Sequence, residues 1–174
     1  PIKVDSYKFF GKGSIAGIPV PVIILIVVFL LAHYILTQTT YGRSVYAVGG
    51  NREAARLSGI RVKTSEFLVY TLNGLMCGMA GLILTARLGS AQSTSGTGIE
   101  MDAIAAVILG GTSLSGGVGF VLPTVVGAMI MGIIDNILTL MNVNPHATNI
   151  VKGAVILIAV LVDKKVKDLS AKAE

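Results

Sequence analysis

The sequence predicts an all-α polytopic membrane protein, and its composition and apolar runs are the reasons. Of its 174 residues, 53% are hydrophobic and 13% are charged, about half the charged fraction of an ordinary soluble domain. So few charges cannot cover a water-facing surface, so apolar side chains must meet lipid. Several apolar runs also approach the roughly 20 residues that a helix needs to cross the membrane. We expect about five transmembrane segments, one of them short or broken, and a cytoplasmic helix between two of them.

The candidate spans follow from the positions of the apolar runs. They cover residues 18–38, 65–88, 103–117, 120–141 and 147–162. In the second span Gly74, Gly78 and Gly81 recur at helical spacing and form a stripe of small residues, which allows close contact between helices. The apolar part of the third span is too short to cross unaided at ~1.5 Å per residue. We predict that it crosses only together with the irregular stretch 110–119.

The direction of the spans follows from the bias of Lys and Arg toward the cytoplasm. Loop 39–63 contains Arg43, Arg52, Arg56, Arg61 and Lys63, and tail 163–174 contains Lys164, Lys165, Lys167 and Lys172. Both segments are therefore predicted to be cytoplasmic, and an even number of crossings must separate them. This requires segment 103–117 to count as a crossing. The scheme places Lys3, Lys8 and Lys12 outside, against the same bias.

A short helix is predicted inside loop 39–63. Asn51 is a good N-cap, Glu53 suits the positive first turn, and Gly59 can end the helix in the left-handed conformation. The helix would run for about two turns, from Arg52 to Ser58. The spacing leaves two interpretations open: a contact surface for a soluble partner, or a capped helix without a partner.

Three blocks of sequence resemble one family of transporters. Residues 53–59, Glu-Ala-Ala-x-x-x-Gly, look like the EAA loop of bacterial ABC importer permeases. The wider run 41–60, YGRSVYAVGGNREAARLSGI, closely resembles the ribose/xylose-type sugar permeases. Runs 84–92 (LTARLGSAQ) and 102–117 (DAIAAVILGGTSLSGG) are similar to the same permeases and follow in the same order. The Ile-x-Leu-Pro ending of the longer EAA consensus is absent, as it is in this sugar-permease branch.

The resemblance implies a permease subunit in the bacterial inner membrane that translocates a ribose- or xylose-like monosaccharide. Its implied partners are a second permease copy, cytoplasmic ABC ATPase subunits, a periplasmic sugar-binding protein and the lipid bilayer. The implied ATPase-coupling residues are Gly50, Asn51, Arg52, Glu53, Ala54, Ala55, Arg56, Gly59 and Ile60. Because the chain begins at Pro1 and shows no apolar signal segment, we expect it to be the C-terminal half of the permease.

No catalytic, nucleotide or metal site is predicted. The sequence has no Gly-x-x-x-x-Gly-Lys-Ser/Thr motif, and residues 11–14 (GKGS) lack its spacing. ATP must then bind to a partner, and no cofactor of the chain's own is expected. His33 and His146 are far apart and lie outside any Cys/His/Asp cluster. The net charge of +5 lies in loops between apolar runs, so it does not indicate nucleic-acid binding.

Polar residues within spans are costly and usually face a bundle interior or a cavity. The possible substrate-pathway residues are Asn73, Gln92, Asp135 and Asn136. Asp135 could bind a sugar hydroxyl, carry a proton or pair with a neighbouring helix. Glu100 and Asp102 lie on the predicted outer side, and Lys152 lies near one end of the last span, where it can reach the interface.

The remaining motif is a group of glycines, Gly110, Gly111, Gly116 and Gly117. They predict a helix break or a tight turn at a bundle interface rather than a phosphate loop, because no βαβ pattern surrounds them. Together with Asp135, this break is what supports the alternative function, an ion-coupled secondary transporter.

Overall fold

The computed structural model describes residues 5–15, 17–92 and 94–171. Helices dominate them, with one very short pair of strands, which confirms the predicted fold class. The chain divides into two compact units, with the boundary between Thr97 and Gly98.

The first unit begins with small elements and continues with longer helices. Helix α1 (Asp5–Lys12) leads to strands β1 (Ser14–Ile15) and β2 (Ile18–Pro19), which pair in antiparallel fashion. Then follow α2 (Val20–Gln38), α3 (Thr40–Gly50), α4 (Arg52–Leu57) and α5 (Val62–Leu88). Both α2 and α5 are long and apolar enough to cross a membrane.

The long helix α5 separates α1 from α4. The Tyr7 hydroxyl of α1 contacts the Thr85 hydroxyl and donates to the Leu82 carbonyl at 3.2 Å, so α1 packs at the C-terminal end of α5. Helix α4 immediately precedes the other end. The part of α5 from Val62 to Thr85 is about 35 Å long at ~1.5 Å per residue, so α1 and α4 lie near opposite ends of this helix. That the two regions lie on opposite sides of the membrane stays a prediction.

Segment 39–63 is mostly helical rather than a loop, which corrects the sequence interpretation. Thr39 is extended (φ −106°) and ends α2, and its hydroxyl accepts from the Gly42 N–H at 3.2 Å, which caps α3. A side chain at Gly42 would meet the Leu36 carbonyl oxygen at 2.2 Å, so only glycine permits this tight corner. Helix α5 also starts at Val62, earlier than predicted.

The second unit consists of α6 (Ile99–Leu109), α7 (Val121–Leu140) and α8 (Pro145–Ala171). Of these, α7 is long and apolar enough to cross a membrane by itself. The predicted span 103–117 corresponds to most of α6, which has 11 residues, or about 16 Å, and to part of the irregular backbone that follows it. A crossing by this segment stays a prediction.

Helix α8 is longer than the predicted span 147–162, because it continues to Ala171, into the predicted tail. No Gly or Pro interrupts residues 154–171, and Lys favours helix, so nothing local ends the helix at residue 162. Whether this end lies in the cytoplasm stays a prediction.

The second unit has a small core of Ala105, Ala106 and Met131. Its small residues allow α6 and α7 to approach closely. A Cβ atom at Gly127 would lie 2.1 Å from the Ala106 carbonyl oxygen, and one at Gly110 would lie 2.6 Å from the Thr124 Cα. The two helices therefore touch backbone to backbone.

Candidate functional site

Helix α4 is closed at both ends by local hydrogen bonds. The Asn51 side chain accepts from the Ala54 N–H at 2.9 Å, as an N-cap does. At the other end the Ile60 N–H donates to the Ala55 carbonyl at 3.1 Å and the Gly59 N–H to the Arg56 carbonyl at 3.0 Å. This is a Schellman motif, and Gly59 supplies its left-handed residue with φ +82°. The caps predicted from the sequence are thus confirmed, and they fix a helix too short to persist alone.

A buried alanine and an ion pair hold α4 in place. Ala55 is 4% exposed and anchors the inner face of the helix. On the outer face the Arg52 guanidinium binds the Glu66 carboxylate of α5 through two hydrogen bonds, of 2.8 and 3.0 Å. Hydrogen bonding and attraction to Glu66 raise the pKa of Arg52 further above its usual value. The fork-shaped contact sets the angle between α4 and the first turn of α5.

The outer surface of α4 combines charge with an apolar side chain. Glu53 and Arg56 pair at 3.2 Å and stay exposed. Leu57 beside them is 81% exposed, although it lies outside the predicted spans. Of the predicted coupling residues, Ala55 is buried and Ile60 is half-buried, whereas the rest are exposed: Gly50, Asn51, Arg52, Glu53, Ala54, Arg56 and Gly59.

An apolar cleft of about 360 Å³ lies near α3 in the same unit. Val28 and Leu31 of α2, Val69 of α5 and Tyr41 are among its lining residues. Burial raises the pKa of Tyr41. Its hydroxyl has no hydrogen-bond partner in the described part of the chain, so this cleft offers one polar atom in apolar surroundings.

A cluster of three charged side chains, Asp102, Asp135 and Lys152, joins the helices of the second unit. The Lys152 ammonium nitrogen lies 2.6 Å from Asp102 Oδ1 and 2.9 Å from Asp135 Oδ1. Both oxygens are buried and receive no well-angled hydrogen bond from the described residues, so the contact is ionic pairing. The Lys152 side chain is 12% exposed and pairs with the two aspartates. The sequence interpretation, in which Lys152 reaches outward to the membrane interface, was wrong.

The cluster of Asp102, Asp135 and Lys152, named the ion cluster here, decides between some of the roles predicted for Asp135. Of the three roles considered for Asp135, pairing with a neighbouring helix is the one the structure shows. The pairing also brings together the N-terminal end of α6, the C-terminal half of α7 and the N-terminal half of α8. Contact with a solute stays a prediction.

The other predicted pathway residues are the amides Asn73, Gln92 and Asn136. Asn73 on α5 and Gln92 after it belong to the first unit and are exposed. Asn136 adjoins Asp135 on α7 and is exposed. A role of these three amides in the solute pathway stays a prediction.

The predicted helix-break glycines have different roles. Gly110 has an ordinary right-handed φ of −72° and is needed for the contact with Thr124. Gly111, Gly116 and Gly117 have φ of +75°, +87° and +76°, a region that favours glycine. They form the turns after α6, which the bond from the Ser113 N–H to the Val118 carbonyl closes at 2.9 Å.

Three functional candidates were missed in the sequence: Glu66, Leu57 and the pairing of Lys152. A Lys and an Asp placed within apolar spans both need partners, and that requirement could have linked Lys152 to Asp135. No comparable signal marks Glu66, whose contact with Arg52 depends on the turn between α4 and α5. Among the described residues no three His, Cys, Asp or Glu side chains are grouped as a metal site requires.

Long apolar helices with a capped, exposed helix between two of them define a multi-pass α-helical membrane protein. Its family and relatives make it a permease of the bacterial inner membrane. The chain belongs to the family described as "Branched-chain amino acid transport system / permease component", whose model matches residues 2–160. The family resemblance stated from the sequence is thereby confirmed.

The chain is similar to sugar-transport permeases. It is 53% identical over 161 residues to the ribose import permease protein RbsC of Escherichia coli K12, covering 92% of this chain and 50% of that protein. It is 49% identical over 160 residues to the Bacillus subtilis 168 protein of that name, with the same coverage. To the xylose transport system permease protein XylH of Escherichia coli K12 it is 48% identical over 151 residues, covering 87% of this chain and 38% of that protein. The chain thus spans about half the length of its ribose-permease relatives. No solved structure matches it.

Proposed function

We propose that the chain acts in an ATP-driven importer as membrane-spanning permease for a monosaccharide, with ATP hydrolysed by a separate cytoplasmic subunit. The observation that carries this proposal is helix α4, which is rigidly capped and presents an 81% exposed leucine between charged side chains. An apolar side chain in such surroundings is what a protein partner would cover. The names of the ribose and xylose relatives support the class of solute.

The contacts of α4 suggest how a partner's movement reaches the membrane. A linker of four residues, 58–61, joins α4 to α5. Because the linker is short, the two helices cannot move far independently of each other. The Arg52–Glu66 fork adds a contact in the first turns of α5, and Ala55 anchors the inner face of α4. A force on α4 would therefore shift the start of α5 rather than bend a loop.

The assembled importer would also contain a second permease copy and a binding protein that delivers the sugar from outside. The chain supplies no nucleotide motif in its sequence. ATP-driven movement by this permease accordingly depends on the ATPase subunit docked on α4.

Reconstitution with the ATPase and binding protein tests this proposal. Uptake of labelled sugar into proteoliposomes should require ATP, and Leu57→Ser should lower the sugar moved per ATP hydrolysed. Leu140→Ser is the matched control, because Leu140 is equally exposed, at 81%, on α7. Full uptake without ATP, or equal effects of the two substitutions, would refute the assignment.

The ion cluster favours a second candidate, an ion-coupled secondary transporter. Charged residues within membrane proteins often belong to ion or proton pathways, and Asp102, Asp135 and Lys152 form a charged cluster that joins three helices of the second unit. The two candidates differ in energy source. Loss of uptake when the proton gradient is collapsed with ATP retained would favour the second one.

A further inference from the structure

Helices α6 and α7 are joined by backbone contact, whereas α8 is attached to them through side chains. A Cβ atom at Gly127 of α7 would lie 2.1 Å from the Ala106 carbonyl oxygen of α6, which leaves no room for a side chain between these two helices. On α8 a Cβ atom at Gly153 would meet nothing within 4 Å, and Val155 and Ile156 pack against the core with their side chains. Helices α6 and α7 therefore form one body, and α8 is the element that can separate from it.

The ion cluster ties α8 to this body by two contacts of unequal strength. The Lys152 ammonium nitrogen lies 2.6 Å from Asp102 Oδ1 on α6 and 2.9 Å from Asp135 Oδ1 on α7. The Asp135 side chain is also the more open of the two, 35% exposed against 24% for Asp102. The backbone of α8 approaches that of α6 at more positions than that of α7. The contact with Asp135 is therefore the easier one to release.

One ammonium shared by two carboxylates gives α8 a way to move without losing its tie. If Lys152 leaves Asp135, it keeps a charged partner in Asp102, so no cation is left buried alone, which is the costly outcome of breaking a buried ion pair. The lysine side chain is a flexible four-carbon stem, so it can stay with one carboxylate while the other recedes. With a single carboxylate, the same movement would break the whole tie.

A short turn beside the ion cluster can act as the pivot of this movement. Residues 141–144 join α7 to α8, and Asn142 among them has a left-handed φ of +56°, which asparagine tolerates better than most residues. Lys152 lies seven residues after the start of α8 at Pro145, or about 10 Å from the turn. A tilt of α8 by about 10° would carry Lys152 about 2 Å, enough to lengthen its 2.9 Å contact with Asp135 beyond ion-pair distance.

We propose that Lys152 is a latch in the transport cycle. In the latched state it holds α8 to both Asp102 and Asp135, and in the released state it keeps Asp102 while α8 tilts away from α7. Asp102 is thus the permanent partner, and Asp135 is the partner that is released and regained. This inference rests on the proposed function, because an importer that opens to alternate sides needs helices with two arrangements. It adds to that function the helix that moves and the contact that breaks.

The distance between α7 and α8 in the reconstituted importer tests the latch. With Cys77 replaced by Ser, spin labels are attached through Ile130→Cys and Leu157→Cys, two exposed positions that lie farther from the turn than the ion cluster does. The same tilt would move Leu157 by about 3 Å. Double electron–electron resonance should show two distances, one favoured without ATP and the other in the complex trapped with ATP. A single, unchanging distance in a transporter that imports sugar with ATP would overturn the proposal.

Two variants that preserve side-chain volume separate a latch from a structural tie. Asp135→Asn removes the released partner and should favour the longer distance in both nucleotide states. Asp102→Asn leaves Asp135 as the only carboxylate and should favour the shorter distance in both. A structural tie would loosen in either variant, so a shift of both in the same direction would overturn the proposal. Glu100→Gln is the charge control, because Glu100 is an exposed carboxylate of α6, and it should leave both distances populated.

Sugar uptake provides the matching functional readout. Both aspartate variants should slow ATP-driven uptake severalfold, because each holds α8 in one state, whereas Glu100→Gln should not. Full uptake by an assembled Asp102→Asn transporter would also overturn the latch. Failure of the proposed function is distinguishable, because it would appear as ATP-independent uptake by the unaltered protein.

Discussion

The close approach of α6 and α7 at Gly127 yields the sharpest stability prediction. Replacing Gly127 with Ala adds a single methyl group to α7. That carbon atom would lie 2.1 Å from the Ala106 carbonyl oxygen and 3.1 Å from the Gly110 backbone nitrogen. Both neighbours are backbone atoms, so no side chain can rotate away to relieve the clash.

The magnitude follows from this distance and from a control on the same helix. The optimal distance between a carbon atom and a non-bonded heavy atom is about 3.5 Å or more. Helices α6 and α7 would therefore have to separate by more than about 1 Å to accept the added methyl group. Overpacking of this kind costs about 1–3 kcal/mol. Gly132 also lies in α7, but a Cβ atom there meets nothing within 4 Å. Gly132→Ala therefore shares the gain in helix propensity, up to about 1 kcal/mol, without the clash.

Thermal unfolding of the two variants in the same detergent provides the assay. Circular dichroism at a helix wavelength should show Gly127→Ala melting below Gly132→Ala, by a difference equivalent to about 2 kcal/mol. If Gly127→Ala were as stable as Gly132→Ala, α6 and α7 could not touch as described.

Three further predictions concern helix α4. Asn51→Ala removes the side chain that caps the Ala54 N–H and should destabilise α4 by about 1 kcal/mol, seen as faster amide hydrogen exchange across α4. Gly59→Ala puts a Cβ atom on a left-handed residue, at a cost of about 1 kcal/mol, and should lower the sugar moved per ATP. Arg52→Glu should also lower this ratio, and adding Glu66→Arg should restore it, because the pair is rebuilt with exchanged charges.

Controls for these experiments come from the same unit. Gly17 has the same φ of +82° as Gly59 and, like it, open space around a Cβ atom. Gly17→Ala should therefore impose similar backbone strain without changing the sugar-to-ATP ratio. An equal loss in both glycine variants would mean that Gly59 has no special role. If Glu66→Arg did not restore the sugar-to-ATP ratio of Arg52→Glu, the Arg52–Glu66 ion pair would have no role in coupling. If amide hydrogen exchange across α4 were unchanged in Asn51→Ala, Asn51 would not be the N-cap that stabilises this helix.

Features that depend on residues close together in the sequence were predictable from the sequence. The apolar runs identified α2, α5 and α7 because a membrane helix needs only length and apolarity. Asn51 and Gly59 marked the ends of α4, since both caps close through bonds within six residues. Helix α3 was missed because its start depends on the Thr39 cap and on the tight corner at Gly42, in a segment whose polarity resembles that of a loop.

Contacts between helices were decided by the tertiary structure. The sequence marked Asp135 as a costly charge within a span and placed Lys152 at the membrane interface, so it did not pair them. The pairing depends on how α6, α7 and α8 are rotated and aligned. Gly110 likewise predicted a helix break, and α6 does end there, but its close contact with Thr124 of α7 depends on packing. By itself, the sequence determined that these segments are membrane helices with defined ends, because hydropathy and capping act locally. Which faces meet, and which charges neutralise one another, followed only from packing, which joins residues far apart in the chain.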